Sequence, residues 1–97
     1  MRRVSFHRLA ESELIDAALY YESENSGLGT SFLDEVERYI DAITKHPDSG
    51  TKLRWPVLRR ILRRFPYGIL YSVKNDDIRI LAIMHLKRRP NYWVDRS

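Results

Sequence analysis

RRFPYGILYSV, residues 63–73, contains the turn and the strand on which the fold assignment depends. After an arginine pair and an aromatic-proline-aromatic turn, every second residue is large and apolar or aromatic. These residues are Tyr67, Ile69, Tyr71 and Val73. Alternation with a period of two predicts a strand whose two faces differ. Because the turn is so short, we expect another strand directly before it.

The segment before the turn carries a weaker strand pattern. In VLRRILRR, residues 57–64, Leu58 and Leu62 fall on one face while Val57 and Ile61 fall on the other. The arginines between them make both faces mixed in character. We predict a strand here because only the Phe-Pro-Tyr turn separates this segment from the next strand.

The last apolar segment is predicted to be an interior strand. IRILAIMHL, residues 78–86, follows the turn cluster KNDD at residues 74–77 and is apolar on both sides. Strict alternation places Ile78, Ile80, Ala82 and Met84 on one face and Leu81, Ile83 and His85 on the other. One face of the resulting sheet would take the helices, and the other would need to be small or covered.

The first half of the chain starts with a strand and continues as two helices. RRVSFH, residues 2–7, alternates, and we expect it to join the sheet because an isolated strand could not satisfy its backbone groups. AESELIDAALYYESENS, residues 10–26, then has apolar residues at helical spacing. The clearest helical stripe follows, in Phe32, Val36, Tyr39, Ile40 and Ile43.

Two glycines and a proline mark the limits of the second helix. Gly27 and Gly29 indicate a tight connection, Thr30 or Ser31 is the predicted N-cap, and Pro47 ends the helix. Two amphipathic helices joined by a few residues pack as an antiparallel hairpin.

The order β-α-α-β-β-β predicts an α+β fold with two layers. We expect an N-terminal strand and a helical hairpin packed on a mainly antiparallel sheet. At 97 residues the chain is too short to divide into two parts that each bury an adequate core, so we predict a single domain over residues 1–97.

Composition and charge narrow the classes of function. The chain has no cysteine, no Gly-rich phosphate loop and no apolar run of membrane-spanning length, so we expect a soluble cytoplasmic protein without a cofactor. Residues 1–50 hold 5 Lys/Arg and 10 Asp/Glu, a balance of −5, whereas residues 51–97 hold 12 and 3, a balance of +9. This asymmetry predicts an anionic partner for the second half, unless the two halves neutralise each other in the fold.

Basic and aromatic residues are the remaining candidates for a functional site, because the three histidines lack metal-ligand spacing. Such residues can hold a phosphate and move a proton in RNA chemistry, and they are also typical of protein-binding surfaces. The arginine pairs can equally protect a sheet edge, and His85 can be structural. The group comprises Arg59, Arg60, Arg63, Arg64, His85, Lys87, Arg88, Arg89, Tyr92, Trp93 and Arg96.

Taken together, these segments resemble the RelE/ParE superfamily of type II toxins, also called plasmid stabilisation proteins. The resemblance rests on the Phe-Pro-Tyr turn opening residues 67–73, on His85-x-x-Arg88-x-Pro90 followed by Tyr92 and Trp93, and on the two preceding helices with HPDSG. It implies a RelE/ParE-like fold and a toxin that a cognate antitoxin holds inactive, with oligomers possible through the antitoxin complex.

The superfamily has two branches with different targets. RelE-like members cut messenger RNA on the ribosome, and there the resemblance implies Arg59 and Arg88 as phosphate-holding residues with His85 or Tyr92 as the proton carrier. ParE-like members inhibit DNA gyrase. Gly68 and Ile61 stand where the nuclease branch favours basic residues, so the sequence favours gyrase inhibition.

An mRNA endonuclease with a metal-free site is the alternative, and a member that binds antitoxin without toxicity is a third possibility. Whether the target is gyrase or messenger RNA, we expect a surface that binds a partner protein or nucleic acid. Its predicted residues are Arg60, Arg63, Arg64, Lys87, Arg89 and Trp93.

Overall fold

The computed structural model describes residues 2–96 as two helices packed against a five-stranded sheet. The helices are α1 (Arg8–Glu24) and α2 (Leu28–Lys45), and a short 3-10 turn follows at Pro47–Ser49. The strands are β1 (Val4–Phe6), β2 (Thr51–Lys52), β3 (Leu58–Ile61), β4 (Tyr67–Lys74) and β5 (Asp77–His85). The predicted two-layer α+β fold is confirmed, with β2 as an addition.

The strands lie in the order β1-β5-β4-β3-β2. The first strand joins the sheet as predicted and runs parallel to β5, while the other neighbours are antiparallel. β5 is an interior strand between β1 and β4. β2 was not predicted because two residues are too few to show an alternation.

The main core lies between the helices and one face of the sheet. Phe32, Val36 and Ile43 of α2 are buried, which confirms the predicted helical stripe, and they pack with Ile69 and Tyr71 of β4. The alternation predicted for β4 is thus also confirmed. At one end of this core four rings meet in mostly edge-on contacts 4.9–6.2 Å apart; they belong to Tyr21, Phe32, Phe65 and Tyr67.

The predicted cap of α2 is wrong. The helix begins at Leu28, ahead of Thr30 and Ser31, and its N-cap is Gly27 in a left-handed conformation with φ 87°. The backbone N–H groups of Gly27 and Gly29 donate to the Glu22 carboxylate at 2.9 and 3.0 Å. The cap is supplied by the preceding helix, so a local sequence pattern could not reveal it.

A β-bulge changes the predicted faces of β5. Leu70 pairs with Ala82, whereas Tyr71 pairs with Ile80, so Leu81 is an extra residue between the two pairs. Beyond the bulge the alternation is reversed: Ile83 faces the helices, while Ala82 and Met84 face the other side. The faces predicted from Ala82 onward are therefore wrong, because strict alternation holds only in an uninterrupted ladder.

The second face of the sheet has a core of its own, covered by the C-terminal segment, residues 86–96. Trp93 of this segment is only 4% exposed. It packs with residues from the sheet and from the loop before β3: Val57, Leu70, Leu81, Ala82 and Met84. The face that the helices leave open is thus covered by the chain itself. Neither helix within residues 2–96 combines the length and the apolar character needed to cross a membrane.

Candidate functional site

The turn after the arginine pair is built on a buried carboxylate. Glu35 of α2 is 2% exposed, and its Oε2 accepts the backbone N–H groups of Arg63 and Arg64 at 2.8 and 2.9 Å. Its Oε1 accepts Nε of Arg64 at 2.7 Å. Burial by itself raises the pKa of Glu35, but these hydrogen bonds and the Arg64 charge outweigh it, so the pKa lies below its ordinary value.

The cations of this turn remain near the surface beside α2. Arg64 lies 5.5 Å above the Phe65 ring, which is itself buried in the main core. Arg60 lies 5.1 Å above the Tyr39 ring and donates to the Ser49 hydroxyl at 3.0 Å. Three of the predicted partner-binding residues, Arg60, Arg63 and Arg64, therefore come together at one edge of the sheet.

A second carboxylate ties the C-terminal segment to α1. Glu13 accepts the Tyr92 hydroxyl at 2.7 Å and both Nη atoms of Arg96 at 2.8 and 3.0 Å. It also accepts the backbone N–H of Ile83 at 3.0 Å, on the part of β5 that lies beyond β1. Burial, and then hydrogen bonding to Glu13, strongly raises the pKa of Tyr92. This cluster fixes the segment that covers the second core.

Arg88 stands at the margin of the same cluster. Its guanidinium lies 4.1 Å from the centroid of the Tyr92 ring and 4.0 Å from the Glu13 carboxylate. It also lines two surface depressions, one beside α1 with His85 and one on the second face with Arg59. Arg88 therefore borders one depression on each face of the sheet.

The other predicted catalytic residues are not brought together. His85 lies on the helix side, where its ring meets Tyr67 edge-on at 5.0 Å and its Nδ1 accepts the backbone N–H of Lys87 at 3.0 Å. Arg59 lies on the second face, opposite Leu70. The Tyr92 hydroxyl is held by Glu13. The four residues therefore do not surround one space.

A basic depression lies on the second face of the sheet. It is a groove of about 530 Å³ between β3, the end of β5 and the C-terminal segment. The aliphatic stem of Arg59 crosses Gly68 closely, because a Cβ added there would lie 3.3 Å from Cδ of Arg59. The groove is lined by Leu53, Arg54, Arg59, Met84, Leu86, Arg88, Pro90, Asn91 and Trp93.

The remaining predicted partner residues differ in exposure. Lys87 and Arg89 are exposed after β5, whereas the Trp93 ring is enclosed in the second core. Sequence reasoning did not identify Glu13 and Glu35 as part of this region. Both occupy positions on apolar helical stripes, and a carboxylate at such a position signals a buried partner. Within residues 2–96 no three His, Asp or Glu side chains converge on a possible metal site.

Comparison with known proteins identifies the family. Residues 4–90 match the family described as "ParE toxin of type II toxin-antitoxin system, parDE". Toxin ParE2 from two strains of Mycobacterium tuberculosis is 28% identical over 98 residues, which covers 93% of this chain and 87% of the relative. A solved structure titled "Chromosomal ParDE TA system from P. aeruginosa" has the same fold, with a TM-score of 0.64 at 18% identity over 90% of this chain and 98% of the other. The chain thus belongs to the family of ParE toxins of type II toxin–antitoxin systems.

Proposed function

We propose that this toxin inhibits DNA gyrase by protein–protein contact and that a cognate antitoxin neutralises it by direct binding. Gyrase is the target that the sequence resemblance implies for the ParE-like branch, and it would place the toxin in the cytoplasm. The observation that carries the proposal is the separation of the predicted catalytic groups, with Arg59 on the second face and His85 on the helix side.

Proton transfer explains why this separation matters. A metal-free ribonuclease needs a proton carrier and a phosphate-holding cation around one scissile bond. Tyr92 is a poor carrier here because its hydroxyl donates to Glu13 and its pKa is raised. His85 shares a depression with Arg88, but the sheet separates it from Arg59, so only one of the two predicted phosphate-holding cations lies beside it. The arrangement therefore favours the gyrase proposal over the endonuclease alternative.

The proposed antitoxin contact is supported by the family and by the surface. The solved ParDE structure that shares this fold is described as a toxin–antitoxin system. In this chain the exposed or half-buried cations Arg60, Arg63, Lys87 and Arg89 offer an anionic segment several contact points. Oligomers of the toxin would then arise through the antitoxin complex.

The test is to measure supercoiling and messenger RNA integrity side by side. Purified toxin is added to gyrase with relaxed plasmid DNA, and the toxin is also expressed in growing cells whose transcripts are then sequenced. We expect supercoiling to stop and transcripts to remain intact. Cleaved transcripts together with undisturbed supercoiling would contradict the proposal and favour the endonuclease.

Two substitutions sharpen the comparison. Replacing His85 with Gln or Arg88 with Ala removes groups that a ribonuclease would need, so an endonuclease would lose toxicity while still binding the antitoxin. A gyrase inhibitor should retain its activity in the His85→Gln variant. A loss of gyrase inhibition in that variant, with antitoxin binding intact, would instead place the gyrase contact beside His85.

A further inference from the structure

Arg59 is the polar residue in this structure that the fold least explains. Its Nε is buried and has no hydrogen-bond partner within residues 2–96. Buried donors in folded proteins are almost always paired, because an unpaired donor loses its hydration and gains nothing in return. The stem of Arg59 packs on Gly68, but a methionine would supply the same packing without a charge. Nε itself is out of reach of solvent, but the outer nitrogens of the guanidinium also form no hydrogen bond within residues 2–96 and could take a partner from outside the chain.

The surroundings of Arg59 define the chemistry of that partner. Arg54 and Arg88 line the same groove, and no carboxylate does. The walls are otherwise largely apolar, with Leu53 and Leu86 exposed to solvent. Arg54 and Arg59 have no carboxylate partner within residues 2–96, and Arg88 is shared with Glu13. Cations beside apolar walls are complementary to carboxylates carried by a segment that also has large apolar side chains.

We infer that the groove binds an acidic, partly apolar peptide segment and that Arg59 holds one of its carboxylates. This inference rests on the proposed function, because the segment is assigned to the antitoxin. A nucleic acid fits less well: single strands bind to exposed rings on which their bases stack, and the Trp93 ring at this groove is 4% exposed. The positive charge of the groove would attract either an acidic peptide or a nucleic acid, and its apolar walls favour the peptide.

The key variant is Arg59→Met, which keeps the stem that packs on Gly68 and removes the guanidinium. Binding of the purified toxin to its full-length cognate antitoxin is measured by calorimetry. Loss of a charge-assisted hydrogen bond at the groove is expected to weaken binding about 10- to 100-fold. The matched control is Arg3→Met, since Arg3 is exposed next to β1, at the opposite edge of the sheet from β3, and its change should leave the affinity unaltered.

Thermal unfolding separates a binding role from a structural one. Because Nε of Arg59 has no partner to lose, the Arg59→Met variant should melt at the same temperature as the wild type or higher. A photo-crosslinking residue at position 86 should then attach to an antitoxin segment rich in Asp, Glu and large apolar residues. Reversing one of those carboxylates to Lys should restore binding to an Arg59→Glu toxin.

The outcomes distinguish this inference from the function on which it rests. If the wild-type toxin binds the antitoxin and Arg59→Met binds equally well, the groove assignment is wrong while the proposed function stands. If the wild-type toxin does not bind the antitoxin, both fail. If a ten-nucleotide single-stranded RNA binds the wild type, loses affinity in Arg59→Met, and the antitoxin is unaffected, the groove belongs to nucleic acid instead.

Discussion

Glu35 shows how one buried residue determines the shape of the turn after β3. Its carboxylate gathers two consecutive backbone N–H groups and a guanidinium, all from Arg63 and Arg64. With those groups satisfied, the chain can reverse and place Phe65 in the core. The arginine pair therefore contributes two backbone N–H groups and the Arg64 guanidinium to the turn, while the Arg63 side chain is exposed.

Replacing Glu35 with Gln should destabilise the fold by about 1–3 kcal/mol. The NH₂ group of the new amide would face the N–H groups that now donate to the carboxylate, and it cannot accept their hydrogen bonds. The measurement is urea unfolding at pH 7. The matched control is Glu37→Gln, since Glu37 is exposed on the same helix and its replacement should change little. Equal unfolding midpoints for the two variants would show that the turn does not depend on this carboxylate.

Glu35 also makes the stability of the fold depend on pH. The pKa of Glu35 is lower in the fold than in the unfolded chain, where a glutamate titrates near about 4.3. Its contribution is therefore fully present above that pH and is lost as the pH falls through the lower, folded value. We expect the wild type to lose more stability than Glu35→Gln when the pH is lowered from 7 to 3. A parallel decline of both proteins would contradict this assignment.

At the scale of elements, Gly29 sets the distance between the two helices. A Cβ at this position would lie 2.5 Å from the carbonyl oxygen of Ala18 and 2.9 Å from Cβ of Glu22. The carbonyl belongs to the backbone of α1 and cannot turn aside, so the helices would have to move apart. The adjoining Thr30 is exposed and has no such constraint.

We expect Gly29→Ala to cost about 1–3 kcal/mol despite the better helix propensity of alanine, because overpacking at a helix contact outweighs propensity. Thr30→Ala, one residue further along the same helix, should be close to neutral. Thermal unfolding of the two variants provides the comparison. A stabilised Gly29→Ala variant would show that the helix pair can separate at little cost.

The C-terminal segment depends on a single carboxylate from α1. Glu13 joins Tyr92 and Arg96 to the part of β5 that extends beyond β1. Removing one partner of a largely buried ion pair leaves the other without compensation, so Glu13→Gln should lower stability by roughly 3 kcal/mol. Hydrogen exchange should then quicken at the Ile83 N–H and through residues 91–96.

Glu11→Gln is the control for this experiment, because Glu11 is exposed on the same helix. Its exchange pattern should match that of the wild type. If exchange in residues 91–96 is equally slow in both variants, Trp93 and the second core hold the segment without help from Glu13.

The elements themselves were largely predictable from sequence, whereas the contacts between them were not. The stripe of Phe32 and Val36 and the alternation around Tyr71 are local patterns, and the structure confirms both. The bulge at Leu81 and the cap from Glu22 arise from pairing between segments that are separate in sequence. Within the candidate site, the predicted residues were cations and rings, while the carboxylates that position them were missed.

For the molecule as a whole, some basic residues of the second half are neutralised within the fold, and others remain available to an anionic partner. Arg64, Arg88 and Arg96 are paired with carboxylates of the helices, so part of the positive charge of the second half is neutralised within the fold. Other cations keep facing solvent, and in residues 2–96 they form no ion pair. Lys52, Arg54, Arg63, Lys87 and Arg89 belong to this exposed group.

These free cations predict that antitoxin binding depends on salt. The Debye length falls from about 10 Å at 0.1 M to about 3 Å at 1 M salt. At high salt the cations therefore attract an anionic segment only when it is nearly in contact. We expect the association rate to fall about tenfold or more over this range, while the dissociation rate changes less because apolar contacts persist. Stopped-flow mixing at several salt concentrations measures both rates. Arg63→Gln should reduce the salt dependence of the association rate, and Arg3→Gln should not. An association rate that does not change with salt would mean that apolar burial, rather than charge, guides the encounter.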